Sequence, residues 1–423
     1  MPFRTDGQRA GIDVPHTITA SAASIHSLKL HPVGMPSSAP IIPLENGQLR
    51  LSFDDFSPNY RSLELRIRHC TFDWYDSPDF STLDYINGFS SLTFDRTEPS
   101  FNTKTSYTHY STTFPNDLMQ LTKSGNYMIE VVDQSNPHEA LIQLRFVVFE
   151  SLVDLDMQVL ESSIIREQRT HQEVALTIRH DASLYRIRDA YDELQVVIMQ
   201  NMKWETARMG LQPQFVRNDE VVYDPTGVLS FPGGNSWRFV DIKSLRFASL
   251  GIQRIVDEGN DWHAYLEADQ SRAMSFLEAR SDLDGHFVIS NERQDDDTGG
   301  EYLWTHFVLE APFKRTNEDI YIYGEISNWS YPESHRLHWN EATSQYEAQL
   351  FLKQGYYNYE YRVRPSNDRG KNQWHDFQSL PSDIQALEGS HSRADTPYTA
   401  IIYYWDLDGY DRVIGFATEK PNG

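Results

Sequence analysis

Two tryptophans and one glutamate are the residues of this chain whose types and spacing suggest a ligand site. Trp329 follows Asn328 at the end of a strand-like run, Glu360 lies between two tyrosines in the run 352–361, and Trp374 follows in the next loop. Tryptophan rings can stack on the faces of sugars, and a carboxylate accepts hydrogen bonds from sugar hydroxyls. The three residues therefore predict a glycan-binding surface. We keep this as an alternative to the function that the chain as a whole suggests below.

Motifs of the common enzyme classes are absent from the chain. There is no Gly-x-Ser-x-Gly elbow, no His-Glu-x-x-His pair, no phosphate-cradling glycine-rich loop and no dinucleotide fingerprint. A glycosidase would escape this test, because its paired carboxylates have no fixed spacing. We predict a protein that is not an enzyme, with no catalytic residues and no cofactor. A hydrolase whose carboxylates are dispersed along the chain is kept as a further possible class of function.

Metal binding is not indicated either. Strand alternation places His69 and Cys70 on opposite faces, so they cannot easily share an ion with Asp73. The Asp-Gly stretches 281–285 and 406–411 lack the flanking helices and distant glutamate of a calcium loop, and we predict hairpin turns there. The acidic run 295–297 is predicted to be a solvated loop tip. Cys70, the single cysteine, permits no intrachain disulfide and no cysteine-based zinc cluster.

The bulk composition limits the partners. The chain has 423 residues with 37 Lys and Arg against 61 Asp and Glu, a formal charge of −24. Nucleic acid and anionic lipid head groups would be repelled over most of such a surface. Apolar runs fall far short of the ~18 residues that a membrane-spanning helix needs, so we predict no membrane span. The amino terminus has no apolar segment of the kind found in export signals, which leaves a cytosolic chain or one without its signal.

The elements that would position any site are predicted to be strands. Runs of alternating apolar and β-branched residues recur between Gly, Pro, Asn and Asp turns, with no βαβ alternation. This pattern predicts an all-β fold of tandem immunoglobulin-like antiparallel β-sandwich domains. The clearest strand runs are 63–69, 127–133, 141–150, 173–180, 195–200, 286–290, 302–310 and 400–405.

Two breaks in the pattern predict domain boundaries. Residues 150–172 depart from strand alternation, and residues 311–319 form a polar link that contains a proline. We therefore predict an N-terminal sandwich at 1–150, a central β domain at 151–311 and a C-terminal sandwich at 312–423. The best helical candidate is the short segment 268–280.

A series of short segments in a fixed order resembles the plug protein family of the type IX secretion system. It covers about residue 25 to the carboxyl end, and its members include LSFDDF, RHCTFDW, KSGNYMIEV, VVIMQNMKW, DLDGHFV, YIYGEISNW and LKQGYYNYEY. The loop HSRADTP at 391–397 departs from the acidic and aromatic stretch usual in that family.

The resemblance implies a role and assigns no residues to it. A plug would be a non-enzymatic periplasmic protein at the inner face of the outer membrane, and the expected export signal would then be missing from this sequence. It would bind the periplasmic opening of the outer-membrane translocon barrel and seal the idle channel, as a monomer with one copy per translocon. The interface residues stay unknown.

The segment 320–377 is also similar to starch- and glycogen-binding sandwich modules. Those modules pair an Asn-Trp strand end with a Gly-Tyr-x-Tyr strand and a later tryptophan, as Trp329, the run 355–361 and Trp374 do here. The modules usually carry a lysine where this chain has Glu360. The glycan reading predicts that Trp329 and Trp374 share one exposed edge.

Overall fold

A computed structural model describes most of the chain. The described residues are 19–20, 23–181, 187–224, 227–277, 280–292, 297–366, 385–405 and 409–421. Among the sequence predictions, Trp374, Asp295, Asp296 and Asp408 lie outside these residues.

In the first part of the described chain, nearly all of the regular secondary structure consists of strands. A single short helix, α1 (Thr82–Tyr85), lies between the fifth and sixth strands. The strands are β1 (Thr19–Ala20), β2 (Ile25–Pro32), β3 (Ile41–Pro43), β4 (Leu49–Asp55), β5 (Leu63–Cys70), β6 (Ile86–Gly88), β7 (Ser91–Thr93), β8 (Arg96–Pro99), β9 (Thr108–Phe114), β10 (Met119–Leu121), β11 (Gly125–Asp133) and β12 (Asn136–Phe149).

The remaining described chain continues in the same way, with the helices α2 (Ala190–Glu193) and α3 (Gln385–Glu388) and three single 3₁₀ turns. Its strands are β13 (Asp154–Glu161), β14 (His171–Arg179), β15 (Leu194–Gln200), β16 (Phe215–Val216), β17 (Glu220–Tyr223), β18 (Ser230–Pro232), β19 (Arg238–Asp241), β20 (Ile252–Asp257), β21 (Trp262–Leu266), β22 (Phe287–Ile289), β23 (Tyr302–Glu310), β24 (Glu318–Tyr323), β25 (Arg336–Asn340), β26 (Gln345–Lys353), β27 (Gly355–Pro365), β28 (Tyr398–Trp405) and β29 (Asp411–Glu419).

The first part of the chain has its own hydrophobic core. One sheet has the order β1-β12-β11-β5-β7, with β3 parallel to β12, and another has the order β2-β4-β9-β8. Alternate side chains of both sheets meet in what we call the first core, which includes Leu65 and Ile129 from one sheet and Leu51 and Phe53 from the other. All buried members of the first core lie between residues 25 and 148.

A second core forms from segments that are far apart in the sequence. The sheet β13-β14-β17-β16 supplies one side, and the sheet β15-β28-β29 supplies the other. The central strand of the second sheet, β28, pairs with β15 from Leu194 opposite Tyr404 to Gln200 opposite Tyr398. The carboxyl-terminal hairpin therefore completes a core that begins at Met157.

Side chains of a nine-stranded sheet form the third core. The strand order is β19-β27-β24-β25-β26-β23-β21-β20, with β22 beside β27. β23 pairs with β26 along its whole length, from Tyr302 opposite Lys353 to Glu310 opposite Gln345. Strand pairing thus crosses the predicted boundary at residue 311. The polar link 311–319 joins two strands of one sheet, and the last hairpin returns to the second core.

The all-β fold class is confirmed by these mostly antiparallel sheets, and all eight predicted strand runs coincide with strands. The helix predicted at 268–280 is wrong, because the described residues of that segment form turns and extended chain. The break predicted at 150–172 contains a strand, β13, that pairs with β14. β13 alternates weakly because only Met157 and Val159 are buried along it.

The first and second cores are joined by what we call the bridging cluster. The outer face of β5, β11 and β12 contributes Cys70, Met128 and Val147, and the sheet of β15 and β28 contributes Val197 and Ile401. Both faces of the β11–β12 pair are therefore covered by apolar side chains. No helix in the described part of the chain is long and apolar enough to cross a membrane.

Candidate functional site: the junction of the three cores

A buried carboxylate joins the first and third cores. Asp54 at the end of β4 is 0% exposed, and its Oδ2 accepts hydrogen bonds from Lys353 Nζ at 2.7 Å and Tyr302 OH at 2.6 Å. His109 Nδ1 lies 2.7 Å from Asp54 Oδ1. Burial alone would lower the pKa of His109, but hydrogen bonds to Asp297 and Asp54 outweigh it and raise that pKa.

A second ion pair crosses the same junction. Lys29 Nζ of β2 donates to Glu325 Oε2 at 3.0 Å, and the Phe287 N–H donates to the same oxygen at 2.9 Å. Burial favours the protonated acid, yet the charges of Lys29 and His286 lower the pKa of Glu325 to about 2. Glu325 is therefore an anion that holds the first core to the third.

A third buried ion pair joins the turn after β15 to β27. Lys203 Nζ donates to Glu360 Oε1 at 2.8 Å, and Arg362 Nε donates to the same oxygen at 2.7 Å. Burial raises the pKa of Glu360, but the charges of Arg362 and Lys203 outweigh it and lower that pKa. Burial, with the charge of Arg362, lowers the pKa of Lys203 to about 8. Glu360, predicted as an acceptor for sugar hydroxyls, is thus occupied by two cations.

Trp329 is packed into the same junction. Its ring meets Trp237 edge-on with centroids 5.9 Å apart, and it also contacts Tyr323 and His286 edge-on at 6.0 and 5.4 Å. The ammonium of Lys203 lies 4.4 Å from the centroid of Trp237. Since Trp374 lies outside the described residues, a shared edge with Trp329 stays a prediction, and the geometry of Glu360 does not favour it.

Polar contacts also hold the second core to the first. Arg412 of β29 donates to both carboxylate oxygens of Glu150 at 2.7 Å. Tyr403 OH donates to Asn126 Oδ1 at 2.7 Å. Together with the three buried charge clusters above, these contacts link every pair of cores by at least one buried or half-buried polar contact. The three cores therefore form one interlocked body.

A cavity of about 130 Å³ lies between β2 and β12 of the first core and the segments that follow β15 and β24. Leu28, Arg145 and Trp74 line it from the first part of the chain. Trp204 lines it from the segment after β15, and Trp329 from the segment after β24. Its walls are mostly apolar. In the described part of the chain, no group of three or more His, Cys, Asp or Glu side chains is arranged to hold a metal ion.

Residues singled out earlier have structural roles in the described chain. His69 is buried, with its Nδ1 2.7 Å from Ser77 Oγ and its Nε2 3.3 Å from the Ser124 carbonyl. Cys70 faces the bridging cluster, and burial raises the pKa of its thiol to about 12. Asp282 accepts hydrogen bonds from the backbone N–H groups of Trp237 and Asp284 in the turn before Gly285.

Sequence reasoning assigned no role to Asp54, Lys203 or Arg145. Asp54 and Lys203 do lie in the segments LSFDDF and VVIMQNMKW, which carry the family resemblance. A charged residue inside an apolar strand run is the available signal, because burying a charge is costly without a partner. The partners themselves are distant in the sequence and could not be read from it.

A small exposed apolar surface lies in the first part of the chain. We call it the hairpin surface and define it by Phe89 and Leu118, which are 64% and 54% exposed. Strands β6 and β10 pair there, and the Phe89 N–H donates to the Leu118 carbonyl at 2.8 Å. Clustered exposed apolar side chains of this kind are typical of protein interfaces.

Comparisons with known proteins agree with this architecture. Residues 25–150 match the family described as the type 9 secretion system plug protein first domain. No curated protein matches the chain.

Two solved structures differ widely in their similarity to this fold. A hypothetical protein from Parabacteroides merdae is similar over 94% of this chain and 98% of its own, with a TM-score of 0.86 and 27% identity. A partial N-terminal region of an enterococcal surface protein aligns with 6% identity and a TM-score of 0.21, which is too low to indicate a shared fold.

Proposed function

Since residues 25–150 belong to the type 9 secretion system plug protein first-domain family, we propose that the chain is a non-enzymatic plug of that system. In this proposal it binds the periplasmic opening of the outer-membrane translocon and seals the channel when no substrate occupies it. It works in the periplasm, at the inner face of the outer membrane, as one copy per translocon. The family match over the first domain is the observation that carries the proposal.

The interlocked body supports this role. A stopper for a wide channel must keep its shape when it docks, since flexible parts lose entropy on binding. Buried pairs such as Lys353 with Asp54 and Lys203 with Glu360 fix the cores to one another. The net charge of −24 adds electrostatic specificity toward a partner of complementary charge.

Co-purification of the translocon tests the proposal directly. A tagged translocon barrel should bring this chain with it in a stoichiometric amount from cells whose translocon is idle, with no substrate in the channel. Deleting the gene for this chain should make those cells permeable to large antibiotics. A translocon that repeatedly purifies without this chain from such cells would contradict the proposed function.

The hairpin surface is the part of the first domain that we propose contacts the translocon. Large exposed apolar side chains act as anchors at protein interfaces. Phe89→Asp combined with Leu118→Asp should reduce co-purification at least tenfold while leaving the melting temperature of the chain unchanged. Phe276→Asp is the matched control, because Phe276 is 94% exposed but lies outside the first domain. Equal loss in both variants, or in neither, would exclude this surface.

A further inference from the structure

The cavity at the junction is lined by a buried cation that has no carboxylate partner among the described residues. Arg145 of β12 is 6% exposed, and its Nε and Nη2 have no hydrogen-bond partner among the described residues. Its guanidinium lies 4.6 Å from the centroid of the Trp74 ring. Burial lowers the pKa of Arg145 to about 10. By contrast, Lys29, Lys203 and Lys353 at the same junction each pair with a carboxylate.

A second polar group of the cavity wall is also unsatisfied. The indole Nε1 of Trp74 has no acceptor among the described residues. Nearly all buried polar groups in native proteins are hydrogen-bonded, so each exception needs an explanation. The unsatisfied atoms of Arg145 and Trp74 are all donors beside one cavity, which points to a bound group that accepts hydrogen bonds.

The backbone around the cavity is unusual as well. Trp74, Met202, Asn328 and Trp329 all line the cavity, and all have positive φ angles between 52° and 67°. Side chains other than glycine rarely adopt this conformation, and such residues cluster at ligand sites, where the surrounding structure enforces them. The strain is therefore concentrated where the unsatisfied atoms are.

We propose that this cavity binds a small carboxylic acid with an apolar body of about the size of benzoate, held through Arg145. The carboxylate oxygens would accept from the guanidinium, which recognises this geometry through its planar set of N–H donors. The cavity volume of about 130 Å³ is close to that of engineered apolar cavities of about 150 Å³ that hold benzene. The mostly apolar walls disfavour a fully polar dianion such as phosphate.

The consequence of binding concerns the whole body. Leu28 of β2, Trp204 after β15 and Trp329 after β24 line the cavity. These strands belong to the sheets of the first, second and third cores, so the ligand would contact segments attached to all three. Anything that binds only the folded, assembled chain stabilises that state by mass action. This inference does not depend on the role as a plug.

Isothermal titration of the full chain with three probes tests the proposal. Benzoate should bind saturably, whereas benzyl alcohol and toluene, which match its apolar body but lack the carboxylate, should bind at least tenfold more weakly. Arg145→Met should lower the affinity for benzoate at least tenfold. Arg166→Met is the matched control, because the Arg166 side chain is 83% exposed, and it should leave the affinity unchanged.

A second measurement on the unaltered chain keeps the test independent of the variant's folding. Crystals grown with 4-bromobenzoate should show anomalous bromine signal inside the cavity, with the carboxylate next to Arg145. The proposal is overturned if benzoate shows no saturable binding, if toluene binds as tightly as benzoate, if Arg145→Met folds and binds benzoate with unchanged affinity, or if the cavity contains only water or chloride.

Discussion

At the scale of single residues, the junction depends on charges that are buried and paired. Asp54 has three polar partners from two different cores, and none of them is near it in the sequence. Removing one partner of a buried pair leaves an uncompensated charge, which costs far more than the loss of an exposed ion pair. The stability of the interlocked body should therefore respond sharply to single substitutions here.

Lys353→Met tests this response. The substitution keeps the apolar stem of the side chain but removes the charge that Asp54 faces, so we expect it to lower the free energy of unfolding by about 3–5 kcal/mol. Urea unfolding followed by tryptophan fluorescence measures the change. Lys314→Met is the matched control, because Lys314 and its partner Glu341 are 52% and 76% exposed, and it should cost less than about 1 kcal/mol. Similar losses in both variants would contradict the prediction.

His69 predicts a pH dependence. Burial is the main cause that lowers its pKa to about 4, from 6.5. The unfolded chain therefore takes up a proton on this residue as the pH falls below 6.5, while the folded chain does not, so stability is lost between pH 6.5 and 4. The shift corresponds to about 3 kcal/mol.

Urea unfolding at pH 7 and pH 4.5 measures this contribution. His69→Gln should lose less stability over that interval than the unaltered chain. His138→Gln, at an exposed position, should keep the full pH dependence. The same loss in His69→Gln as in the control would show that His69 does not contribute.

At the scale of elements, one turn shows how backbone and packing act together. Gly285 ends the turn 281–285 with φ of 88°, and a Cβ there would lie 2.6 Å from Trp237 and 2.7 Å from Trp329. Only glycine combines this φ with so close an approach of two rings. The turn therefore fixes the position of Trp329 at the junction.

A comparison of Gly285→Ala with Gly251→Ala should separate the cost of the positive φ angle from the cost of the clash with the two tryptophan rings. Both glycines have positive φ, at 88° and 81°, but nothing lies within 4 Å of a Cβ at Gly251. Each substitution should cost about 1–2 kcal/mol for the left-handed backbone, and Gly285→Ala should cost about 1–3 kcal/mol more for the clash. Differential scanning calorimetry measures both. Equal losses would mean that the rings move aside freely.

The strands were predictable from the sequence, whereas their partners were not. Alternation in the runs 63–69 and 302–310 depends on local burial of every second side chain, which a single sequence displays. The pairing of β15 with β28 depends on which apolar faces fit together after the whole chain collapses, and no local pattern encodes it. The sequence pattern predicts Glu360 as an acceptor for sugar hydroxyls because it does not show the partner of this carboxylate. That partner, Lys203, lies on a distant segment of the chain.

At the scale of the whole molecule, the three cores differ in how much of the chain they need. The first core is complete between residues 25 and 148. The second needs β28 and β29, and the third needs strands on both sides of residue 311. We therefore expect a fragment of the chain to fold by itself only if it contains all the strands that its core needs.

Fragments test this division. Residues 25–150 should give a dispersed amide spectrum and a cooperative thermal transition, because their core is self-contained. Residues 151–311 should give neither, because β15 lacks β28 and β23 lacks β26. The fragment 151–423 is the matched control and should fold. Cooperative unfolding of 151–311 would show that the pairing across residue 311 is dispensable.

The pairing of β15 with β28 also sets an order of events during synthesis. At ~5–20 residues per second, β15 emerges roughly 10–40 s before β28, and in that interval the apolar face of β15 has no strand to cover it. A chaperone that holds unfolded chains would have to shield this segment until the last hairpin arrives. A product that stops before Tyr398 leaves β15 without its partner strand, and we expect proteases to degrade it faster than the full chain.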